Sequence, residues 1–259
     1  MDRPLLLTAD NSRSAFRKVQ LVATDMDGTL TTQGEFTAEL LQAFDRLRAC
    51  GIEVLIVTGR SAGWASGIAN YLPVAGAIAE NGGLYIDKAD PTPVILPDIP
   101  RITHHRDRLS RLFNRLKERY LALTPSVDNP YRITDWTFDI TGLAASDIAW
   151  MQETCESLSM GFTYSTVQCH IKIPRQSKAA GLAKVLQQRF DNLETASIVT
   201  VGDSPNDESL FEPQFPNSVG VANLAHYLPN LSQTPTYITA EAEGKGFIEL
   251  ADCLVASRS

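Results

Sequence analysis

The sequence predicts an α/β protein built on a doubly wound, Rossmann-like and mostly parallel sheet, which one α+β unit interrupts. Short apolar runs rich in β-branched residues alternate with segments whose apolar residues recur at helical spacing. Acidic and other polar residues follow several of these runs directly, as at functional loops that leave a sheet. The alternation lapses in the middle of the chain and then resumes, which predicts a second unit inserted into the first.

The first part of the sheet is expected within residues 19–83. Val19–Thr24 and Ile52–Val57 are apolar runs of the kind that form buried parallel strands, and Phe36–Cys50 between them has helical spacing. Polar segments follow the two strands, namely Asp25-Met26-Asp27-Gly28-Thr29-Leu30 and Thr58-Gly59-Arg60. The sequence therefore places reactive side chains at the carboxyl ends of two strands.

Residues 84–173 are expected to form the inserted α+β unit. A basic amphipathic helix includes Leu109–Leu116, a strand-like segment covers Ile133–Ile140, and a second helix covers Ala145–Leu158. Two further short strands end the unit. This order of elements does not continue the βαβ alternation, so we expect a separate layer of structure.

The alternating pattern returns over residues 174–259, which are expected to complete the core domain. A helix is predicted over Ser177–Phe190 and a buried strand over Ala196–Val201. The strand leads into Gly202-Asp203-Ser204-Pro205-Asn206-Asp207, so acidic residues again follow a strand end.

Composition and charge limit the classes of function. The formal net charge is -7, so the long-range field repels nucleic acid and anionic lipid. The four cysteines are widely spaced without a CxxC pair, which disfavours a zinc ribbon or a redox motif. No apolar run reaches the ~18 residues that span a bilayer, and residues 1–18, a leader expected to be loosely held, lack the order of a signal peptide. We expect a cytoplasmic protein that binds neither nucleic acid nor membrane.

Four carboxylates are expected at one edge of the sheet, because the carboxyl ends of parallel strands meet there. Asp25, Asp27, Asp203 and Asp207 would repel one another unless a hard cation lay among them. Mg²⁺ prefers oxygen ligands, and the absence of Cys and His from these segments argues against zinc. The sequence therefore predicts a Mg²⁺ site.

The same residues suit phosphoryl transfer, which needs an in-line nucleophile and positive charge around the phosphoryl oxygens. Asp25 is a credible covalent nucleophile, since an aspartyl phosphate divides a difficult hydrolysis into two easier steps. Asp27 can act first as acid and then as base. The Thr58 hydroxyl and the Lys178 ammonium are candidates for binding the phosphoryl group. An isolated Asp-x-Asp is usually turn chemistry. Together with Thr58-Gly59-Arg60 and the segment from Gly202 to Asp207, each after its own strand, it favours a phosphatase.

These motifs resemble the haloacid dehalogenase superfamily, whose phosphatases carry DxDGT, a Thr or Ser after the second strand, a Lys and a terminal GDxxND. Thr58-Gly59-Arg60 and the long insert are similar to the branch with a C2-type cap, which includes Cof-type sugar phosphatases and sucrose-phosphate phosphatases. The resemblance implies that the insert is a C2-type cap. It also implies a small phosphate ester as substrate, expected here to be a sugar phosphate.

The resemblance also implies roles for individual residues. Asp25 would be nucleophile and metal ligand, and Asp27 acid/base and ligand through its backbone carbonyl. Asp203 would be a further ligand, and Asp207 would act through metal-bound water. The residues implied to bind or support the phosphoryl group are Thr58, Gly59, Lys178 and Asn206.

Four residues are candidates for contact with the rest of the substrate, namely Arg60, Asn81, His170 and Lys172. The last two alternate with Cys169 and Ile171, so that one side of the last strand of the insert is polar. That side faces either the cleft between the two units or solvent, and both readings stay open from the sequence.

Two other functions stay open as well. A phospho-accepting signalling domain also gathers acids, a Thr or Ser and a Lys around magnesium, but it needs no insert as large as residues 84–173 over its site. A phosphosugar mutase uses the same covalent intermediate and returns the phosphoryl group to another hydroxyl.

Overall fold

The computed structural model describes residues 3–90, 92–165 and 167–258. The strands are β1 (Leu5–Leu6), β2 (Leu21–Thr24), β3 (Glu53–Val57), β4 (Gly76–Ala79), β5 (Leu84–Asp87), β6 (Val94–Ile95), β7 (Trp136–Asp139), β8 (Gly161–Tyr164), β9 (Gln168–Lys172), β10 (Ile198–Gly202), β11 (Asn217–Gly220) and β12 (Tyr237–Ile238). The α-helices are α1 (Ala9–Phe16), α2 (Ala38–Ala49), α3 (Ala62–Tyr71), α4 (Ile102–Lys117), α5 (Ala145–Ser157), α6 (Lys178–Arg189) and α7 (Glu243–Ala256). Short 3₁₀ helices cover Asn129–Tyr131, Thr195–Ser197, Pro205–Phe211, Ala222–His226 and Leu228–Asn230.

The larger sheet has nine strands in the order β1-β12-β11-β10-β2-β3-β4-β5-β6. In this order, each pair of neighbouring strands from β1 across to β4 is parallel. The last two pairs, β4 with β5 and β5 with β6, are antiparallel. The chain proceeds from β2 outward to β4 on one side and later builds β10 to β12 on the other. The crevice between β2 and β10 is therefore the topological switch point, where ligands of such sheets bind. The predicted doubly wound sheet is confirmed.

Both faces of this sheet are covered, as the continuous apolar strands predict. On β2, Val22 faces the cluster formed with α1, α2, α3 and α7, whereas Leu21 and Ala23 face the cluster formed with α6. Phe44 of α2 and Phe247 of α7 meet edge to face with ring centroids 5.6 Å apart. Each such side chain contributes about 1.5 to 3 kcal/mol through burial. Within the described residues, none of the helices is both long and apolar enough to cross a bilayer.

A second, three-stranded antiparallel sheet has the order β7-β9-β8 and packs against α4 and α5. Its apolar core is separate from the two clusters of the larger sheet and includes Phe113, Phe138, Met151 and Ile171. This α+β unit lies over the carboxyl edge of the larger sheet, where β9 approaches the loop after β3.

The predicted start of the inserted unit at residue 84 is corrected, because β5 and β6 belong to the larger sheet. The turn at Gly82-Gly83 reverses the chain, so that Leu84 pairs antiparallel with Ala79. Leu84 and Ile86 are buried in the same cluster as β2 and β3. The chain therefore leaves the larger sheet only after Ile95.

The expectation of a loosely held leader is also corrected, since most of that segment is packed on the larger sheet. β1 pairs in parallel with β12, and Phe16 of α1 is fully buried with its ring 5.6 Å from that of Tyr237. A reciprocal cap begins α1: the Thr8 hydroxyl accepts from the Asn11 backbone N–H at 3.2 Å, and the Asn11 side chain accepts from the Thr8 N–H at 3.0 Å. The elements are too short to produce a periodic signal.

Gly82 and Gly34 offer a matched test of how the chain turns beside the site. Both have positive φ, 91° and 82°, but a Cβ on Gly82 would lie 1.9 Å from the Ser177 carbonyl oxygen, whereas nothing lies within 4 Å of one on Gly34. Gly34→Ala should lose about 1 to 2 kcal/mol of stability from backbone strain alone. Gly82→Ala should lose at least about 2 kcal/mol more from overpacking, as measured by urea unfolding. Equal losses in the two variants would contradict this account.

Candidate active site

Three aspartates meet where β2 and β10 end side by side. The Asp25 backbone N–H donates to the Val201 carbonyl at 2.9 Å, which aligns the two strand ends. Asp25, Asp203 and Asp207 each offer a carboxylate oxygen, and these oxygens lie within 4.8 Å of one another. All three side chains are buried. The structure thus brings together three of the four carboxylates expected at this edge.

Lys178 is the cation of this cluster and the first residue of α6. Ser177 caps the helix by accepting from the Ala180 N–H at 3.1 Å, so the chain turns just where the lysine enters. The ammonium of Lys178, which has no exposed surface, donates to Asp25 Oδ1 and, at 2.6 Å, to Asp207 Oδ1. Burial would lower the pKa of Lys178, but the two carboxylates outweigh it and raise that pKa. The lysine therefore stays charged.

The charges of the cluster do not balance within the chain. Burial raises the pKa of Asp25 and of Asp203, and the carboxylates around each raise it further, whereas Lys178 lowers it. Three carboxylates against one ammonium leave two formal negative charges. The donor set consists of oxygens alone, which suits a hard divalent cation. The residues present therefore fit such an ion in both charge and ligand type.

Asp203 is held in place by neighbours that sequence analysis missed. Asn223 donates to Asp203 Oδ2 at 2.9 Å and to the Gly28 carbonyl at 3.1 Å, and the Thr29 hydroxyl donates to Asp203 Oδ1 at 3.3 Å. A Cβ on Gly28 would lie 2.5 Å from Asp203 Oδ2, so the close approach requires glycine there. Asn223 follows β11, and a polar residue after a strand end is the signal that could have revealed it.

Asp207 and Asn206 connect the cluster to the neighbouring loops. Asp207 Oδ2 accepts from the backbone N–H groups of Asp203 at 2.9 Å and Ser204 at 3.1 Å, which leaves its Oδ1 for Lys178. The Asn206 amide donates to Asn81 Oδ1 at 3.0 Å. These contacts explain why the loop after β10 is rigid enough to position two of the three carboxylates.

The fourth predicted carboxylate, Asp27, is paired with Arg60. The Arg60 guanidinium donates to both Asp27 oxygens, at 2.8 and 2.6 Å, and its Cζ atom lies 5.0 Å from the ring centroid of Trp64. The side chain of Asp27 therefore lies outside the three-carboxylate cluster. In the same loop the Thr58 hydroxyl accepts from the Arg60 N–H at 3.1 Å.

A small cavity separates these residues from the three-stranded sheet. It is lined by Asp25, Asp27, Gly59, Arg60, Ser165, Val167, Gln168, His170, Ser204 and Asn206. Its volume of about 30 Å³ has room for a few water molecules only, so it is smaller than a phosphate ester. Asn81 and Lys172 line an adjacent cavity beside Lys178 instead, where the Lys172 ammonium donates to the Gln176 carbonyl.

Glu80 forms a buried junction between the two units that the sequence did not reveal. Its carboxylate accepts from the Ala62 N–H at 3.2 Å, from the Ile133 N–H at 3.1 Å, and from the N–H and hydroxyl of Thr134 at 2.6 and 2.7 Å. Burial, together with the nearby Asp135, raises the pKa of Glu80 to about 7 against the lowering effect of the hydrogen bonds from Thr134. The junction joins the turn after β4 to the segment before β7.

Known proteins are similar to this chain in sequence and in fold. Residues 22–126 match the family described as haloacid dehalogenase-like hydrolase. A phosphoglycolate phosphatase of Methanothrix thermoacetophila is 26% identical over 242 residues, which cover 92% of this chain and 98% of that protein. The crystal structure of a Thermoplasma acidophilum protein superposes with a TM-score of 0.75 at 18% identity, covering 92% of this chain and 99% of that one. The sucrose-phosphatase of Synechocystis sp. PCC6803, solved with sucrose and phosphate, gives 0.67 at 17% identity, covering 92% and 98%.

Glu80 predicts a pH dependence of stability. Its pKa of about 7 in the folded protein exceeds the ordinary 4.5, so the folded state holds the proton more tightly than the unfolded state does. Stability relative to Glu80→Gln should therefore fall as the pH rises from 4.5 to 7. The total change should approach about 3 kcal/mol, from about 1.4 kcal/mol per pKa unit. Urea unfolding at several pH values measures it, with Glu153→Gln on the exposed side of α5 as control. A pH-independent difference would contradict the assignment.

Proposed function

We propose that the chain is a haloacid dehalogenase-like phosphatase with a C2-type cap, and that it hydrolyses its phosphate monoester through an aspartyl phosphate on Asp25, with Mg²⁺ as its cofactor. The observation that carries the proposal is the buried contact of Asp25 with Lys178, within 4.8 Å of ligand atoms of Asp203 and Asp207. A nucleophile, a cation and an oxygen-only ion site thus share one crevice.

The first step transfers the phosphoryl group to the protein. A carboxylate oxygen of Asp25 forms a bond to phosphorus while the bond from phosphorus to the ester oxygen breaks. Asp27, as a carboxylic acid, gives its proton to the departing oxygen. The Thr58 hydroxyl and the Lys178 ammonium bind the phosphoryl oxygens and offset their charge.

The second step releases inorganic phosphate. Asp27, now a carboxylate, takes a proton from a water molecule whose oxygen attacks phosphorus, and the bond from phosphorus to Asp25 breaks. In the structure Asp27 forms an ion pair with Arg60, and the side chains of Arg60 and Asp27 have 28% and 29% of their surface exposed. Asp27 must leave Arg60 before it carries a proton in the first step.

Asp25 and Asp203 would hold Mg²⁺ through their carboxylates and Asp27 through its backbone carbonyl, and Asp207 would act through a water molecule on the ion. When bound, the ion supplies the positive charge that the three buried carboxylates and a phosphoryl group lack. Asn223 and Thr29 act on this site indirectly, by fixing the direction of the Asp203 oxygens.

The phosphatase acts on a small phosphorylated substrate, and we infer that this substrate is a sugar phosphate. The polar lining of the cavity, which includes Gln168, His170 and Ser165, supports this inference. A second candidate is phosphoglycolate, because the curated relatives that match nearly the whole chain carry that activity in their names.

Asp25→Asn should abolish turnover while the fold is kept. Release of phosphate from p-nitrophenyl phosphate with Mg²⁺ should fall at least about 10³-fold, since the covalent route is lost. Wild type treated with a chelator should also lose activity and regain it when Mg²⁺ is added. The control is Asp191→Asn, an exposed residue after α6, and circular dichroism checks the fold. Near-normal release by folded Asp25→Asn would remove Asp25 from the mechanism.

Asn223→Ala should weaken the ion site without touching the nucleophile. With Asp203 free to turn, the Mg²⁺ concentration for half-maximal activity should rise about 10- to 100-fold, while turnover at saturating Mg²⁺ changes little. A Mg²⁺ titration of phosphate release measures both quantities. Asn230→Ala, in a 3₁₀ helix away from the cavity, is the control. An unchanged half-maximal concentration would mean that Asn223 does not position the metal ligand.

A further inference from the structure

Strand β9 of the smaller unit presents two polar side chains to the active-site cavity. Gln168 and His170 alternate with Cys169 and Ile171, whose side chains are buried in the core of that unit, so the first two share the opposite face. His170 also lies directly against the loop after β3, since a Cβ on Gly59 of that loop would be 3.3 Å from Cε1 of His170. The cavity face of β9 is therefore adjacent to the reacting groups.

The hydrogen-bonding state of His170 is set by its partner. Nδ1 lies 2.9 Å from Asp135 Oδ2. Burial would raise the pKa of Asp135, but Arg132 and His170 outweigh it and lower that pKa, so the carboxylate is ionised and only accepts. Nδ1 must then carry the proton. Burial lowers the pKa of His170, which leaves the ring neutral at pH 7 and Nε2 as an acceptor. Among the described residues the ring forms its side-chain hydrogen bond through Nδ1 alone, and the ring borders the cavity.

The amide of Gln168 is oriented by the same arginine. Arg132 Nη2 donates to Gln168 Oε1 at 3.0 Å. Because a guanidinium only donates, the oxygen of the Gln168 amide must face Arg132, and the NH₂ group of that amide points away from Arg132. That NH₂ group meets no acceptor within residues 3–90, 92–165 and 167–258. The cavity face of β9 thus offers one acceptor, His170 Nε2, and one donor, the Gln168 amide.

Arg132 anchors this pair to both units. It is fully buried, donates to both oxygens of Asp135 at 3.0 Å and to Asp128 at 2.9 Å, and reaches across to the Gly59 carbonyl at 2.9 Å. The side chains that orient His170 and Gln168 are therefore tied to the loop that binds the phosphoryl group. Their distance from the reacting phosphorus is fixed whenever the two units are together.

A neighbouring acceptor and donor match a hydroxyl group, which donates and accepts at once, whereas a carboxylate only accepts. We propose that His170 Nε2 and the Gln168 amide bind a hydroxyl of the leaving group, with Arg132 and Asp135 as positioning residues. The inference rests on the proposed function and narrows it to esters that carry a free hydroxyl close to the phosphorylated carbon. A substrate whose only other polar group is a carboxylate would leave Nε2 without a donor.

Three small esters test the proposal with the Mg²⁺-loaded enzyme. Glycerol 3-phosphate and n-propyl phosphate share a three-carbon skeleton and differ only in two hydroxyl groups, whereas 2-phosphoglycolate has two carbons and carries a carboxylate in place of hydroxyls. The wild type should favour glycerol 3-phosphate over each of the other two at least about tenfold in kcat/KM. In His170→Phe, the ratio of kcat/KM for glycerol 3-phosphate to that for propyl phosphate should fall below about threefold. His105 is another buried histidine of the smaller unit, and His105→Gln should leave this ratio unchanged.

The tautomer of His170 provides a test that needs no substrate. Nitrogen-15 NMR of the wild type should show His170 protonated at Nδ1, with its signals assigned by their loss in His170→Phe. His105, whose Nε2 lies 2.8 Å from the Thr134 carbonyl and must donate to it, should show the opposite tautomer in the same spectrum. Protonation of His170 at Nε2 would overturn the proposal.

The remaining outcomes are also distinct. A wild-type ratio near one between glycerol 3-phosphate and propyl phosphate, a preference for 2-phosphoglycolate, or a ratio that survives in folded His170→Phe would overturn the hydroxyl assignment while the phosphatase stands. Absence of phosphate release from every ester, p-nitrophenyl phosphate included, would instead overturn the proposed function.

Discussion

The buried ammonium of Lys178 is the interaction on which the rest of the site depends. Burying an unpaired ammonium costs several kcal/mol of folding free energy. The first turn of α6 can therefore pack here only because Asp25 and Asp207 pair with Lys178. The start of the helix is fixed in turn by the Ser177 cap and by the close approach of Gly82. These contacts of Lys178 thereby join the strand end that bears Asp25 to the helix α6 and to the loop that bears Asp207.

The parallel sheet explains why this chemistry can be assembled from distant parts of the chain. Residues after β2, β3, β10 and β11 are far apart in sequence, yet neighbouring strands bring their carboxyl ends to one edge. Each end contributes a different group: Asp25 after β2, the Thr58–Arg60 segment after β3, the carboxylates of Asp203 and Asp207 after β10, and Asn223 after β11. The oxygens of Asp203 are directed from two of these ends, so the geometry of the proposed ion site is a property of the sheet rather than of one loop.

Those strands and site residues that a short stretch of sequence identifies by itself could be predicted from the sequence. Apolar runs that end in acids located β2 and β10, and the order of the motifs predicted that Asp25, Asp203 and Lys178 would meet. Contacts between the two units left no such signal. Glu80 is one acid in a glycine-rich turn, and Arg132 and Asp135 find His170 only through the pairing of β7 with β9. Two-residue strands such as β1 and β6 were missed because their partners, not their own residues, define them.

The contacts that cross between the two units have a consequence for how such a protein diversifies. The smaller unit has its own apolar core, so its helices and outer strands can vary without disturbing the larger sheet. Two contacts with the larger unit, however, need partners at fixed positions. Glu80 needs the backbone N–H groups of the turn at Thr134, and the Gly59 carbonyl needs Arg132. A transplanted or rapidly evolving cap would therefore inherit a short obligatory segment around Arg132–Thr134, while substrate preference could drift through the residues of β9 beside it.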